Sequence, residues 1–153
     1  MSTISTVFLN HNLSNPLVLP AGVMDVSYSA MIYAVENGAS VVTMKSLTRL
    51  PRKGHEGPVV AEIPGGLVNS MGLCNPGIDA GLEEIAKFKA NCSAPVIASI
   101  FAADAKEFCD LTQTVNTSAA DFLELNLSCP NLADEIGVPL AASKESVCEI
   151  IAA

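Results

Sequence analysis

Two groups of residues in this chain have the types and spacing to do chemistry. One is Asn126-Leu127-Ser128-Cys129-Pro130-Asn131, a thiol with amide and hydroxyl side chains on either side. A cysteine is more often a small core residue, but three polar neighbours make a poor core and a plausible site. A thiolate can serve as base or nucleophile, although a free thiol, with a pKa of about 8.5, is only a few per cent ionised at neutral pH. The other group is Lys45 with Arg49, Arg52 and Lys53, four of the eight basic residues within nine positions. Lys45 ends an apolar run, so the spacing sets it at the end of a buried strand, whereas the two arginines and Lys53 read as a solvated loop. A cation there would give an acidic protein a local positive field for an anionic ligand.

The elements that must position these groups alternate between strand and helix. Phe122 to Leu127 shows period-two alternation, with Leu123, Leu125 and Leu127 on one face and Phe122, Glu124 and Asn126 on the other. Pro130 lacks an amide hydrogen and ends the ladder, so Cys129 falls on the loop leaving the strand's carboxyl end. Upstream, Leu17–Leu19, Ser40–Met44 continuing into Lys45, and Pro95–Ile100 read as strands. Helices are predicted from Ser27 to Asn37, closed by Gly38. Another carries Ile78, Leu82, Ile85 and Phe88, with Glu83 and Lys87 paired four apart. A third starts at a capping box of Asp104 and Glu107 and carries Phe108, Leu111 and Val115. The last starts at Ser143 and aligns Val147, Ile150 and Ile151. Thr6–Leu9 followed by a turn at Asn10-His11-Asn12 predicts a small N-terminal β-hairpin. The connection from Leu47 to Pro76 is far longer than a usual βα loop, and long loops are commonly functional.

Repeated strand–helix units imply parallel strands with right-handed crossovers. Phase then decides the architecture. Thr43 and Lys45, Ile97 and Ser99, and Glu124 and Asn126 share a face that turns polar toward the carboxyl ends. A doubly wound sheet, covered on both sides, favours continuous aliphatic strands instead. The expectation is an α/β fold, the N-terminal half of a (β/α)8 TIM barrel with about four βα units and a small hairpin. A full barrel typically needs about 250 residues. Residues 1–153 therefore read as one partial barrel domain, truncated at Ile151-Ala152-Ala153 within a helical pattern.

Composition narrows the classes. Half of the 153 residues are hydrophobic and the net charge is -8, with a pI near 4.5 and a mean hydropathy of +0.41. Such a chain has material for a core and lacks the basic stripe of a nucleic-acid surface. No apolar run reaches membrane-spanning length and no signal peptide is visible. Five cysteines without a C-x-x-C pair fit reduced thiols in a cytoplasm better than disulfides or a zinc or other metal site.

With these motifs placed, the chain resembles the class 1 dihydroorotate dehydrogenases, flavin enzymes of pyrimidine (UMP) synthesis. The resemblance rests on Asn15-Pro16-Leu17 through Ala21-Gly22, on Thr43-Met44-Lys45-Ser46, on Asn69-Ser70-Met71-Gly72-Leu73-Cys74-Asn75, and on Asn126 through Asn131. It implies FMN as cofactor, lined by Ala21, Gly22, Lys45, Ser46, Ser99 and Asn126. It implies a dihydroorotate/orotate site formed by Lys45, Asn69, Ser70, Met71, Gly72, Leu73, Asn126 and Asn131. Cys129 matches the catalytic base, taking a proton from C5 while a hydride passes from C6 to FMN; Lys45 matches the lysine that approaches flavin and substrate. The same resemblance implies a cytoplasmic homo-oligomer passing electrons to fumarate or to NAD, the latter through an iron–sulfur flavoprotein subunit. The wording Ser70-Met71-Gly72-Leu73 is closer to the fumarate-using subtype, and Leu50-Pro51-Arg52-Lys53-Gly54 to the NAD-linked one. Asn131 stands where dihydropyrimidine dehydrogenase-like relatives carry His. Two alternatives stay open: another flavin barrel oxidoreductase of that kind, and an inactive half-barrel that binds a nucleotide or a partner. In a complete enzyme, flavin reduction by dihydroorotate is expected to accelerate with pH until the Cys129 thiol ionises; stopped-flow rates that stay flat from mildly acid to alkaline pH would remove Cys129 from this role.

Overall fold

The computed structural model describes residues 4–128 and 139–153. Its centre is a four-stranded parallel sheet built from β3 (Val18–Leu19), β4 (Val41–Leu47), β7 (Val96–Ile100) and β8 (Phe122–Leu125), adjacent in that order. The strands sit side by side in chain order, with no reversal. A doubly wound sheet has a switch point where the order turns back; here each crossover steps the same way, as in one arc of a (β/α)8 barrel. β8 stops at Leu125, two residues earlier than the alternation suggests, while β4 runs to Leu47, past its expected end at Lys45.

One face of the sheet is covered by helices α1 (Tyr28–Glu36), α2 (Ile78–Asn91), α3 (Ala105–Asn116) and α4 (Lys144–Ala152), the last preceded by a 3-10 turn at Leu140–Ala142. Met31, Ile85, Phe88, Phe108, Leu111 and Ile150 from these helices pack on Val42, Met44, Leu47, Val96, Ala98 and Ile100 in one core. Gly81 lets α2 lie against β4, because a Cβ there would collide with the Leu47 methyl carbons. Three of the four helices start at a side-chain cap. Ser27, Asp104 and Ser143 accept hydrogen bonds from the amides of Ala30, Glu107 and Ser146, satisfying donors that an α-helix leaves unpaired. The reciprocal half of the Asp104 box is shifted by one residue, since Glu107 accepts from the amide of Ala103. On α2 the ion pair is Lys87 with Glu84, at 2.6 Å, rather than with Glu83. On α4 only Ile150 is buried, and Ile151 is exposed.

The other face is closed at its amino end by a hairpin of β1 (Thr6–Phe8) and β2 (His11–Leu13). Its turn is Leu9-Asn10, both at positive φ, as a two-residue hairpin turn requires. His11 and Asn12, expected in the turn, belong to the second strand. Leu13 buries itself against Val41, Ile97 and Phe122. Phe8 and His11 stand edge-on to the Phe122 ring, at 5.3 and 4.8 Å.

The long connection after β4 has its own structure, which its Gly and Pro content conceals. β5 (Val60–Ile63) and β6 (Gly66–Asn69) form an antiparallel hairpin. Below it, Arg52 bridges Asn75 and the His55 amide donates to Met71, so the segment is a paired arm folded back on itself. Asn75 ties its base. That buried side chain accepts from the amides of Thr48 and Gly77 and donates to the Thr48 hydroxyl and the Leu73 carbonyl. Truncating Leu13 to Ala should lower the folding free energy by about 2–4 kcal/mol, as for other buried leucines, read as a reduced urea midpoint. An unchanged midpoint would show that the hairpin does not seal the sheet.

Candidate active site

The carboxyl ends of β3, β4 and β8 face the arm across a cleft of about 880 Å3. Pro20, Ala21, Gly22 and Val23 form one wall and Val60, Leu67, Asn69, Met71 and Leu73 the opposite one; Lys45, Ser46, Glu124 and Asn126 to Ser128 line the space between. The volume lies within the range of about 300–1,000 Å3 for clefts that hold cofactor-sized ligands. Of the residues that the sequence assigns to a site, Ala21, Gly22, Lys45, Ser46, Asn69, Met71, Leu73 and Asn126 meet here.

A bulge in β4 brings Lys45 and Ser46 together on the cleft. Met44 pairs with Ala98 and Leu47 with Ile100, three steps on one strand against two on its neighbour. Met44 and Leu47 both enter the helix-side core, and the two residues between them line the cleft. Alternation alone would send Ser46 to the helix side. A bulge inserts an extra residue and re-aims side chains in this way.

Behind the cleft surface, three polar side chains lace β4, β7 and the end of β8. The hydroxyls of Ser46 and Ser99 are 2.8 Å apart, and Asn126 donates its amide Nδ2 to Ser46 Oγ at 3.0 Å. Asn126 Oδ1 also accepts from the Ser128 amide. Each end of the Asn126 amide thus keeps one further hydrogen-bonding position for a ligand. Ser99, expected to line the flavin, is fully buried behind Ser46. The barrel face is filled by side chains at that depth.

Two other expected ligand contacts point elsewhere. Ser70 Oγ lies 2.8 Å from His55 Nδ1, within the arm. Gly72 is buried against the same histidine, where a Cβ would meet the His55 amide at 2.5 Å. Both therefore shape the arm, while their neighbours Asn69, Met71 and Leu73 reach the cleft. Cys129 and Asn131 lie outside the described residues; Ser128, immediately before Cys129, lines the cleft. The basic cluster separates as its setting suggests: Arg49 pairs with Glu107 and Asp110 of α3, and only Lys45 of the four reaches the cleft.

Asp25 is the residue that motif reasoning missed. It is almost fully buried, at 1% exposure. Its carboxylate accepts from the amide of Gly22, and its carbonyl accepts from the Lys45 amide at 3.2 Å. Burial pushes the carboxyl above its ordinary value, and the Gly22 hydrogen bond and the Lys45 charge pull it partly back. A lone acid within the apolar run Val23-Met24-Asp25-Val26 was the only signal. Gly22 sits at φ +103, a backbone state that suits glycine, and its missing Cβ would stand 3.6 Å from Lys45 Nζ. The backbone wall, the ammonium and the buried carboxylate share one corner.

A parallel βα sheet in sequential order, with a polar cleft at the strands' carboxyl ends, defines an α/β protein of the barrel type. Comparison with known proteins narrows that class. Residues 3–152 match the family model described as dihydroorotate dehydrogenase. The chain is 43% identical over 139 residues to the protein named dihydroorotate dehydrogenase B (NAD(+)), catalytic subunit, of Pyrococcus abyssi, covering 91% of this chain and 45% of that one. The protein of the same name from Thermoplasma acidophilum is 37% identical over 99% of this chain and 50% of its own length. That of Methanothermobacter thermautotrophicus is 33% identical over 98% and 48%. The chain belongs to the dihydroorotate dehydrogenase family, and it spans about half the length of these relatives.

The buried carboxylate has a measurable consequence for stability. Above the raised pKa of Asp25 the group is ionised in folded and unfolded chains, and the folded one carries the burial penalty. As pH falls through that value toward the ordinary 3.8, the folded chain takes up its proton first and the penalty is relieved. D25N keeps an oxygen for the Gly22 amide and has no charge. Its urea midpoint should exceed the parent's at pH 7, with the difference narrowing in acid; a lower midpoint at both pH values would refute the penalty.

Proposed function

We propose that this chain provides the catalytic first half of an FMN-dependent dihydroorotate dehydrogenase barrel, oxidising (S)-dihydroorotate to orotate in pyrimidine synthesis. The observation that carries the reading is the corner where Lys45 meets the Ala21-Gly22 backbone at the end of β4. A flat ring can approach that backbone because neither residue has a bulky side chain, and the chain's small residues there fit FMN. When bound, the flavin accepts the hydride that the substrate loses.

The chain's own groups have the remaining tasks. Lys45 holds a positive charge where negative charge gathers during the reaction, and such a fixed charge acts without reorganisation. Asn126, its amide oriented by Ser46 and Ser128, offers one donor and one acceptor. Asn69 offers an amide from the opposite wall, which suits the edge of a pyrimidine dione and its carboxylate. Asn131 adds a further amide to the substrate. Cys129, next after Ser128 in the sequence, takes the proton from C5. Met71 and Leu73 supply apolar cover on the arm side. The relatives' names favour NAD as the final electron acceptor, reached through a separate electron-carrying subunit. We assign the protein to the cytoplasm as a homo-oligomer; none of its described helices is long and apolar enough to cross a membrane.

The test is ligand binding by the 153-residue chain followed by turnover. FMN should bind weakly and saturably by fluorescence quenching, and K45M should weaken it about tenfold or more, the loss of one charge-assisted contact. Orotate should compete with dihydroorotate analogues where dihydrouracil does not. Half a barrel lacks the loops after strands seven and eight that commonly hold phosphate, so dihydroorotate oxidation is expected only with a complete barrel. FMN binding indifferent to K45M would overturn the proposal, and turnover by these residues alone would overturn the need for a complete barrel.

A further inference from the structure

We propose that Asp25 is a positioning residue for Lys45: its buried carboxylate anchors the Gly22 loop and supplies the counter-charge that holds the Lys45 ammonium against the cleft wall. The inference rests on the reading of Lys45 as the cleft's anion contact.

Three observations converge. Asp25 is tied to both sides of the corner, through its side chain to the Gly22 amide and through its carbonyl to the Lys45 amide. The Lys45 ammonium stands 3.6 Å from the Cβ position of Gly22, the residue whose amide the carboxylate holds. Burying a carboxylate is costly unless it is paired, and the Lys45 charge is among the influences that keep this one ionised. The β8 carboxylate Glu124 lines the same cleft but is exposed, so water screens it far more than it does Asp25. Of the two acids, Asp25 is the buried one and the one tied to the Gly22 wall against which the ammonium stands. A lysine left without it would swing with its four-carbon stem, and the cleft would lose a fixed charge at one point.

Lysine acylation mapped by mass spectrometry tests this, because an ammonium held against the cleft wall by a counter-charge is less free to meet the reagent than one that swings on its stem. Under limiting acetylation, D25N should label Lys45 about fivefold faster than the parent, as expected from losing a partly screened charge pair. Lys53, Lys87, Lys89, Lys106 and Lys144 serve as internal standards, and E124Q should change the Lys45 rate by less than D25N does. Parental labelling of Lys45 in D25N would overturn the proposal. Should D25N unfold, all six lysines would accelerate together, and K45M then decides. Coupling is reciprocal, so K45M should shift the Asp25 carboxyl titration upward in carbon NMR, and an unmoved titration overturns the proposal as well. Orotate should slow Lys45 labelling in the parent and less so in D25N. If orotate has no effect on the parent, the functional reading fails, while the Asp25–Lys45 coupling is still decided by the ligand-free rates.

Discussion

Two consecutive residues of one strand must face the same way for this cleft to exist. A regular strand forbids that, because successive side chains point to opposite faces. β4 escapes the rule by inserting one residue against β7, so Lys45 and Ser46 both turn inward while Met44 and Leu47 stay in the helix-side core. The bulge is affordable because its flanks are well held. Leu47 packs into the space that Gly81 leaves open, and the ladder resumes with the Phe101 amide donating to the Leu47 carbonyl. The ammonium at the surface and the hydroxyl network beneath it both descend from that insertion.

From the bulge outward, the site is a set of polar groups held by other polar groups. Ser46 joins Ser99 and Asn126 across three strands, which places an amide at the end of β8 with a defined orientation. Asn75 gathers Thr48, Leu73 and Gly77 at the foot of the arm. The arm then carries Asn69, Met71 and Leu73 to the opposite wall. Neither Asn75 nor Ser99 lines the cleft, yet both fix groups that do. Asp25 belongs with them, at a cost in stability that its neighbours only partly offset.

How much of this was legible in the residues follows from how local each signal is. The helix caps at Ser27, Asp104 and Ser143, and the alternation of β8, depend on neighbours in sequence and were readable. So was the half-barrel, because the polar phase of Thr43, Lys45, Ser99 and Glu124 reports which face meets the site. The β5–β6 hairpin was not readable. Its partners, Val60 with Asn69 and Ile63 with Gly66, lie in a stretch whose glycines and prolines look like a loop. The bulge was equally hidden, since one extra residue changes no composition. Motif resemblance named Ser70 and Gly72 as ligand contacts, but a contiguous motif on an arm alternates its sides, and these two face His55. Asp25 escaped because nothing in Val23-Met24-Asp25-Val26 tells which way its carboxylate turns.

The hairpin that closes the amino end of the sheet has a bearing on how the chain assembles. Its strands are the earliest of the described elements to leave the ribosome, and local pairing lets them form at once. Their docking surface is another matter, because Phe8 and His11 rest on Phe122 of the last described strand of the sheet. During synthesis that ring arrives only after α1, α2 and α3 have been made. The cap is therefore first in order of translation and among the last to complete its docking, because until Phe122 emerges only Val41 and Ile97 are there to cover Leu13. Contacts so distant along the chain slow folding, and throughout that interval Phe8 and His11 lack the ring they rest on.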